Sequence, residues 1–162
     1  MGNKMEKKLE VGEKAPEFCL KNQKDEDICL KNFKGKWIIF YFYPKDNTSG
    51  CTKEAMGLTK RKRDFEKLNA VILGVSPDST KSHRNFIEKK ELKITLLSDS
   101  EHSVLETYGT WQLKKVYGRE YYGVVRSTYL ISPDGKIAYT WQKVKVAGHV
   151  ETVYEKLKEL SK

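Results

Sequence analysis

Cys51 stands in the stretch Tyr43-Pro44-Lys45-Asp46-Asn47-Thr48-Ser49-Gly50-Cys51-Thr52-Lys53-Glu54, where an apolar run ends, a polar turn follows and helical spacing begins. A helix start exposes unsatisfied backbone N–H groups and the positive end of the helix dipole, and both favour an anion. Cysteines in such places are favoured as the thiolate, the nucleophilic form of sulfur. Thr48 lies within reach of that sulfur, or of an oxygen bound beside it, across the turn. Pro44 has a fixed φ and no N–H, which suits a rigid wall around the sulfur. The chemistry on offer is nucleophilic attack by a single sulfur in a small pocket. The same residues also fit a core thiol beside a plain polar loop, and spacing alone leaves both readings open.

The elements that must position this cysteine alternate between β and α signals. Glu17 to Leu20 and Ile28 to Leu30 suggest an N-terminal hairpin, and Lys36 to Tyr43 a central strand. From Cys51 to Asn69 the spacing predicts one helix with Ala55, Leu58, Phe65 and Leu68 inward, weakened at Gly57. Ala70 to Val75 is a buried strand, SPDSTKSHRNFIEKKE a helix with a Ser/Asp start, and Thr95 to Leu97 a short strand. Ser100 to Tyr108 is a short helix stopped at Gly109. Ser127 to Ser132 and Lys136 to Trp141 flank Pro133-Asp134-Gly135 and pair as a hairpin. A last helix, His149 to Leu160, carries Val150, Val153, Leu157 and Leu160 on one face. The expectation is a mixed α/β fold, one sheet flanked by helices.

Length and composition fit that expectation. The 162 residues match one domain, 1–162, with enough chain for a real core. With 38% hydrophobic and 33% charged residues, the chain falls outside the disordered class. No segment approaches the roughly 20 apolar residues of a membrane span, and the N-terminus lacks a signal-like apolar run. A cytoplasmic location is expected, where a cysteine is more often reactive than structural. The net charge of +9 raises nucleic acid as a partner. Acidic residues are interleaved with most of the lysines, however, and no reading motif accompanies Lys60-Arg61-Lys62-Arg63 or Lys114-Lys115, so a solvated surface is expected.

Pro44-x-x-x-Thr48-x-x-Cys51 within FYFYPKDNTSGCTKEA resembles the peroxiredoxin active-site motif, in the bacterioferritin comigratory protein branch, also called Q-type. The similarity continues through VGEKAPEF, VILGVSPDS, TLLSD and VYGREYYGVVRSTYLISPDGKI to the last helix. The resemblance implies a thioredoxin-like fold with a central mixed sheet. It implies reduction of hydrogen peroxide and organic hydroperoxides without metal, flavin or other cofactor, with thioredoxin or another thiol as reductant, in a monomer. It also implies that Arg126 stabilises the thiolate and aligns the peroxide, and that Glu54 orients Arg126. The implied site is therefore Cys51, Thr48, Arg126, Pro44 and Glu54. Attack on the terminal peroxide oxygen would leave Cys51 as a sulfenic acid.

The chain departs from that family in three places. Met56 stands where many members of the branch carry a resolving cysteine, and STKSHRNFIEKKE, where others place it, contains none. A one-cysteine mechanism with an external thiol is expected. Ser49 replaces a common proline, which loosens the turn. Cys19 and Cys29 match no resolver position; small strand residues are the favoured reading, with a disulfide between them or resolution of Cys51 by one of them as alternatives. His83, His102 and His149 show no metal-ligand spacing and are expected at the surface. Trp111, Tyr117, Tyr121 and Tyr122 fit either packing or the approach to Cys51. The rival from another class is a redox-inert thioredoxin-like module that binds an acidic partner through its basic surface.

Overall fold

The computed structural model describes residues 9–162. The first eight residues of the expected domain, and with them the start of the N-terminal stretch expected to lack a signal-like run, lie outside the described residues.

Among the described residues, nine strands and five α-helices follow one another as β1 (Cys19–Asn22), β2 (Asp27–Cys29), β3 (Trp37–Phe42), α1 (Ser49–Lys60), α2 (Lys62–Lys67), β4 (Ala70–Ser76), α3 (Thr80–Lys90), β5 (Thr95–Ser98), α4 (Ser103–Thr107), β6 (Trp111–Val116), β7 (Arg119–Val124), β8 (Ser127–Ile131), β9 (Ile137–Gln142) and α5 (His149–Leu160). Seven strands form one sheet in the order β2-β1-β5-β4-β3-β8-β9. β3 runs parallel to β4 and antiparallel to β8, so the sheet is mixed and β3 is central.

The side-chain alternation of β3 builds two cores. Ile38, Phe40 and Phe42 face one layer, with Phe18, Leu73, Val75, Leu105, Tyr108 and Tyr129. Ile39, Tyr41 and Tyr43 face the other, with Cys51, Leu58, Phe65, Phe86, Val153 and Leu157 from the helices. A strand buried on both faces must read as a continuous apolar run, which is why WIIFYF shows no polar alternation.

The structure differs from the sequence expectations at several elements. The N-terminal hairpin is shifted toward its turn, and Leu30 opens a short 3-10 turn through Phe33. The helix expected from Cys51 to Asn69 starts two residues earlier and breaks at Arg61, where ψ of 5° ends α1 and α2 begins. Leu68 is half-buried rather than core, and Leu160 is exposed at the last position of α5. The hairpin β6–β7 went unread. Its signal was Tyr117-Gly118, two residues at φ of 50° and 77° that close a two-residue turn between alternating runs.

Candidate active site

Strand β3 ends at Phe42, and the next residues climb over the C-terminal edge of the sheet before α1 turns back across it. Tyr43 keeps strand geometry long enough for its N–H to reach Val75 O at 3.0 Å. Asp46 then dives inward. Its Oδ1 accepts from the Tyr43 hydroxyl at 2.6 Å, and its Oδ2 accepts from the Ser82 hydroxyl at 2.7 Å and pairs with His83 Nδ1 at 2.8 Å. His83 Nε2 donates to Leu97 O at 3.0 Å. The loop that delivers the cysteine is thus fastened from beneath to α3 and β5.

Cys51 sits in the first turn of α1, with Thr48 as N-cap in extended geometry. It is the free cysteine among the described residues, and it is 1% exposed. Arg126 comes from the short link between β7 and β8. Its Nη2 donates to Cys51 Sγ at 3.3 Å, and its Nη1 donates to Glu54 Oε1 at 2.7 Å. Gly50 leaves room for this approach, because a Cβ there would stand 3.2 Å from Arg126 Nη2. Cys51, Glu54 and Arg126 therefore converge, although 72 residues separate Arg126 from Glu54.

The electrostatics around the sulfur are uneven. Burial pushes the Glu54 carboxyl up to about 7, against the opposing pull of Arg126. Glu54 Oε2 and the Tyr41 hydroxyl are buried without a hydrogen-bond partner. Tyr41 is held neutral, its ionisation pushed well above the usual phenol range by burial and then by nearby Glu54. Its ring lies over Gly74, where a Cβ would come within 2.7 Å of the ring carbon bearing the hydroxyl. His149 is pushed down to about 4 by burial and by Arg126, so its ring is neutral near pH 7; Nε2 lies 2.8 Å from Thr128 Oγ1.

Of the two roles expected for Thr48, a hydrogen bond to the sulfur is not made, and one to an oxygen bound beside it stays open. The exposed Thr48 hydroxyl donates to Lys45 O at 2.9 Å, closing the turn, so the oxygen is left free to accept. Pro44 is half-buried at the end of β3, where its ring restricts the loop. The expectation of surface histidines is wrong for two of three: His83 is fully buried and His149 is 7% exposed, because each ring finds internal polar partners. His102 stacks on Trp111 with ring centroids 3.9 Å apart. Asp46 and His83 were missed as a unit, since nothing local to either joins two positions 37 residues apart.

Cys19 and Cys29 are joined as a disulfide, one of the alternatives to unpaired strand residues. They face each other directly in the hairpin register, at a non-hydrogen-bonded pair, where opposite side chains come closest. Among the described residues, no group of three or more histidine, cysteine or acidic side chains is arranged to hold a metal. Among the same residues, no helix is long and apolar enough to cross a membrane.

The AhpC/TSA family matches this sequence over residues 11–140. Peroxiredoxin Bcp of Bacillus subtilis is 46% identical over 153 residues, covering 94% of this chain and 98% of that protein. Among solved structures, the Xanthomonas campestris bacterioferritin comigratory protein, studied for alkyl peroxide reduction, is 36% identical with a TM-score of 0.89. It covers 94% of this chain and all of that one. A cysteine-to-serine variant of Xylella fastidiosa PrxQ is 34% identical with a TM-score of 0.91, over 96% and 99% of the two chains.

Proposed function

The chain belongs to the AhpC/TSA family as a peroxiredoxin of the Bcp/PrxQ kind, a thiol peroxidase of thioredoxin-like fold, and from that premise we propose that Cys51 is its peroxidatic cysteine and works by a one-cysteine route. The observation that carries this reading is the Arg126 guanidinium, 3.3 Å from Cys51 Sγ and held on its other side by Glu54. A cation in that position favours thiolate over thiol and stands ready for the charge that leaves during attack.

In the proposed reaction, the Cys51 thiolate attacks the terminal oxygen of a hydroperoxide along the O–O axis. An S–O bond forms as the O–O bond breaks, and the departing oxygen takes a proton and leaves as water or alcohol. Arg126 stabilises the growing charge. Thr48, with its own proton committed to Lys45 O, accepts the peroxide O–H and orients it. Pro44 restricts access to the sulfur. The sulfenic acid then condenses with an external thiol such as thioredoxin, releasing water and leaving a mixed disulfide. A second thiol displaces Cys51 and restores it.

Two observations support external resolution. Met56 occupies the α1 position where a resolver would stand, and α3 carries no cysteine. Cys19 lies on β1, which β5 and β4 separate from β3, the strand that leads into α1 and Cys51. The Cys19 sulfur is also already bonded to Cys29. We read the chain as one domain and as a monomer.

The test is intact mass and peptide mapping after one equivalent of hydrogen peroxide, with thiols trapped at short times. Rapid sulfenate confined to Cys51, with the Cys19–Cys29 bond intact, is expected. A rapid disulfide between Cys51 and Cys19 or Cys29 would replace the resolution step, and an inert Cys51 would end the proposal.

A further inference from the structure

Lys114 is a half-buried cation on β6 that makes no ion pair among the described residues, whereas its neighbour Lys115 points the other way and pairs with Glu120 at 3.3 Å. In the register of the β6–β7 hairpin Lys114 stands opposite Tyr121, yet its stem does not stay there. It runs diagonally across Gly123, toward the base of the hairpin: a Cβ at position 123 would lie 3.4 Å from Lys114 Cδ and 3.6 Å from Cε. That base continues through Val124 and Val125 to Arg126. Burial and then Arg126 lower the proton affinity of Lys114, while Cys51 acts in the opposite direction and favours its ammonium form.

The charge balance of the site gives this placement a meaning. When Cys51 is a thiolate and Glu54 a carboxylate, the site holds two anions, and Arg126, in contact with both, supplies one cation. The other titratable groups close by do not fill the gap. Tyr41 on β3 and His149 on α5 are neutral near pH 7. Asp46 is turned away from the sulfur and is hydrogen-bonded to Tyr43, Ser82 and His83. Lys53 on α1 is exposed.

We propose that Lys114 is a positioning cation of the peroxidase site, supplying from the β6–β7 hairpin the second positive charge that a Cys51 thiolate beside an ionised Glu54 requires. The proposal rests on the assignment of Cys51 as the peroxidatic residue. Lys114 acts through the field it sets at the sulfur and at Arg126, not by touching the peroxide. Gly123 lies beneath the stem: a Cβ there would meet Tyr121 Cε2 at 3.3 Å and would touch Lys114 Cδ at ordinary contact distance.

The experiment compares wild type with Lys114→Met, Lys114→Arg and Lys115→Met. It reads the second-order rate of the Cys51 reaction with hydrogen peroxide by stopped flow, and the pH profile of Cys51 alkylation, with Cys51→Ser as the labelling blank. Lys114→Met keeps the apolar stem and is expected to slow the peroxide step roughly three- to tenfold at pH 7, with the alkylation midpoint displaced to higher pH. Lys114→Arg should restore both, and Lys115→Met, which makes the same change in net charge, should leave both at wild-type values. Unchanged rate and unchanged midpoint in Lys114→Met would overturn the inference, as would an equal effect from Lys115→Met. Should Lys114→Met fail to fold, wild-type behaviour of Lys114→Gln would overturn the inference in the same way. A wild-type Cys51 that ignores peroxide would instead defeat the underlying assignment, which separates the two failures.

Discussion

Asp46 and Glu54 are both buried acidic side chains that face one nitrogen partner, His83 and Arg126 respectively, on opposite sides of the turn that carries Thr48. Around Asp46 both carboxylate oxygens are engaged: Tyr43, Ser82 and His83 hold them, and the far nitrogen of His83 finds Leu97 O. Around Glu54 the account is left open. One oxygen holds Arg126, the other has no partner, and the second arm of Arg126 is turned toward sulfur. A saturated cluster in a low-dielectric interior resists change, whereas an unsaturated one retains charge and hydrogen-bonding capacity for a visitor. The pairing teaches that burial and charge alone do not mark a reactive centre. The unspent valence does.

The sharpest way to break this contrast is at the sulfur. Cys51→Ser is expected to abolish peroxidase turnover in a coupled thiol-reductant assay, and retained turnover would mean that the open cluster is not the centre. Removing the charge pair as a unit, Arg126→Met with Glu54→Gln, leaves no stranded carboxylate. It should slow the peroxide step by about 10² to 10³ while the fold persists.

The Asp46 side should respond in the opposite currency. Asp46→Ala strands His83 in the core and is expected to lower unfolding stability by about 3 to 5 kcal/mol, read by denaturant titration. At low temperature the folded fraction should still react with peroxide within a few-fold of wild type. A variant that kept its stability but lost its rate would erase the division between the clusters. A smaller loss of stability, about 3 kcal/mol in a chain-entropy account, is expected on reducing the Cys19–Cys29 bridge, whose partners are 10 residues apart. The bridge joins the edge strand β2 to its neighbour β1, which β5 and β4 separate from β3, so its reduction should leave the stopped-flow rate unchanged.

The two clusters also differ in how they are written in the sequence. Cys51 was legible because strand end, turn and helix start are contiguous, and the physics of a helix N-terminus acts over a few residues. Arg126 was not legible from spacing or charge among 31 basic residues; only the family resemblance pointed to it, and the fold accounts for its position by running β8 antiparallel beside β3. Asp46–His83 was invisible to both, since a polar residue in a turn and a histidine in a helix each read as surface until tertiary packing closes over them. The Cys19–Cys29 bridge was one of three open accounts, because it depends on a register that a hairpin displaced by two residues did not fix. The central strand and the last helix, by contrast, carry strong periodicity or continuous apolar character and were read nearly to the residue.

The smallest expected effect concerns how the open cluster titrates. The folded protein holds the Glu54 carboxyl at about 7 against an ordinary value of 4.5, so the folded state binds the proton more tightly and stability falls as pH rises from 4.5 through 7. His149, beside the same arginine, is pushed from 6.5 down to about 4, so the unfolded state binds that proton more tightly and stability falls as pH drops from 6.5 through 4. Their windows overlap with opposite slopes, and in wild type they oppose each other between pH 4.5 and 6.5. Glu54→Gln should therefore expose a profile that climbs with pH across this range relative to wild type. His149→Asn should expose one that descends, both read as denaturation midpoints at constant ionic strength. Parallel profiles in all three proteins would mean that neither group changes its proton affinity on folding. The open cluster would then be as inert to protons as the Asp46 side is to substrate.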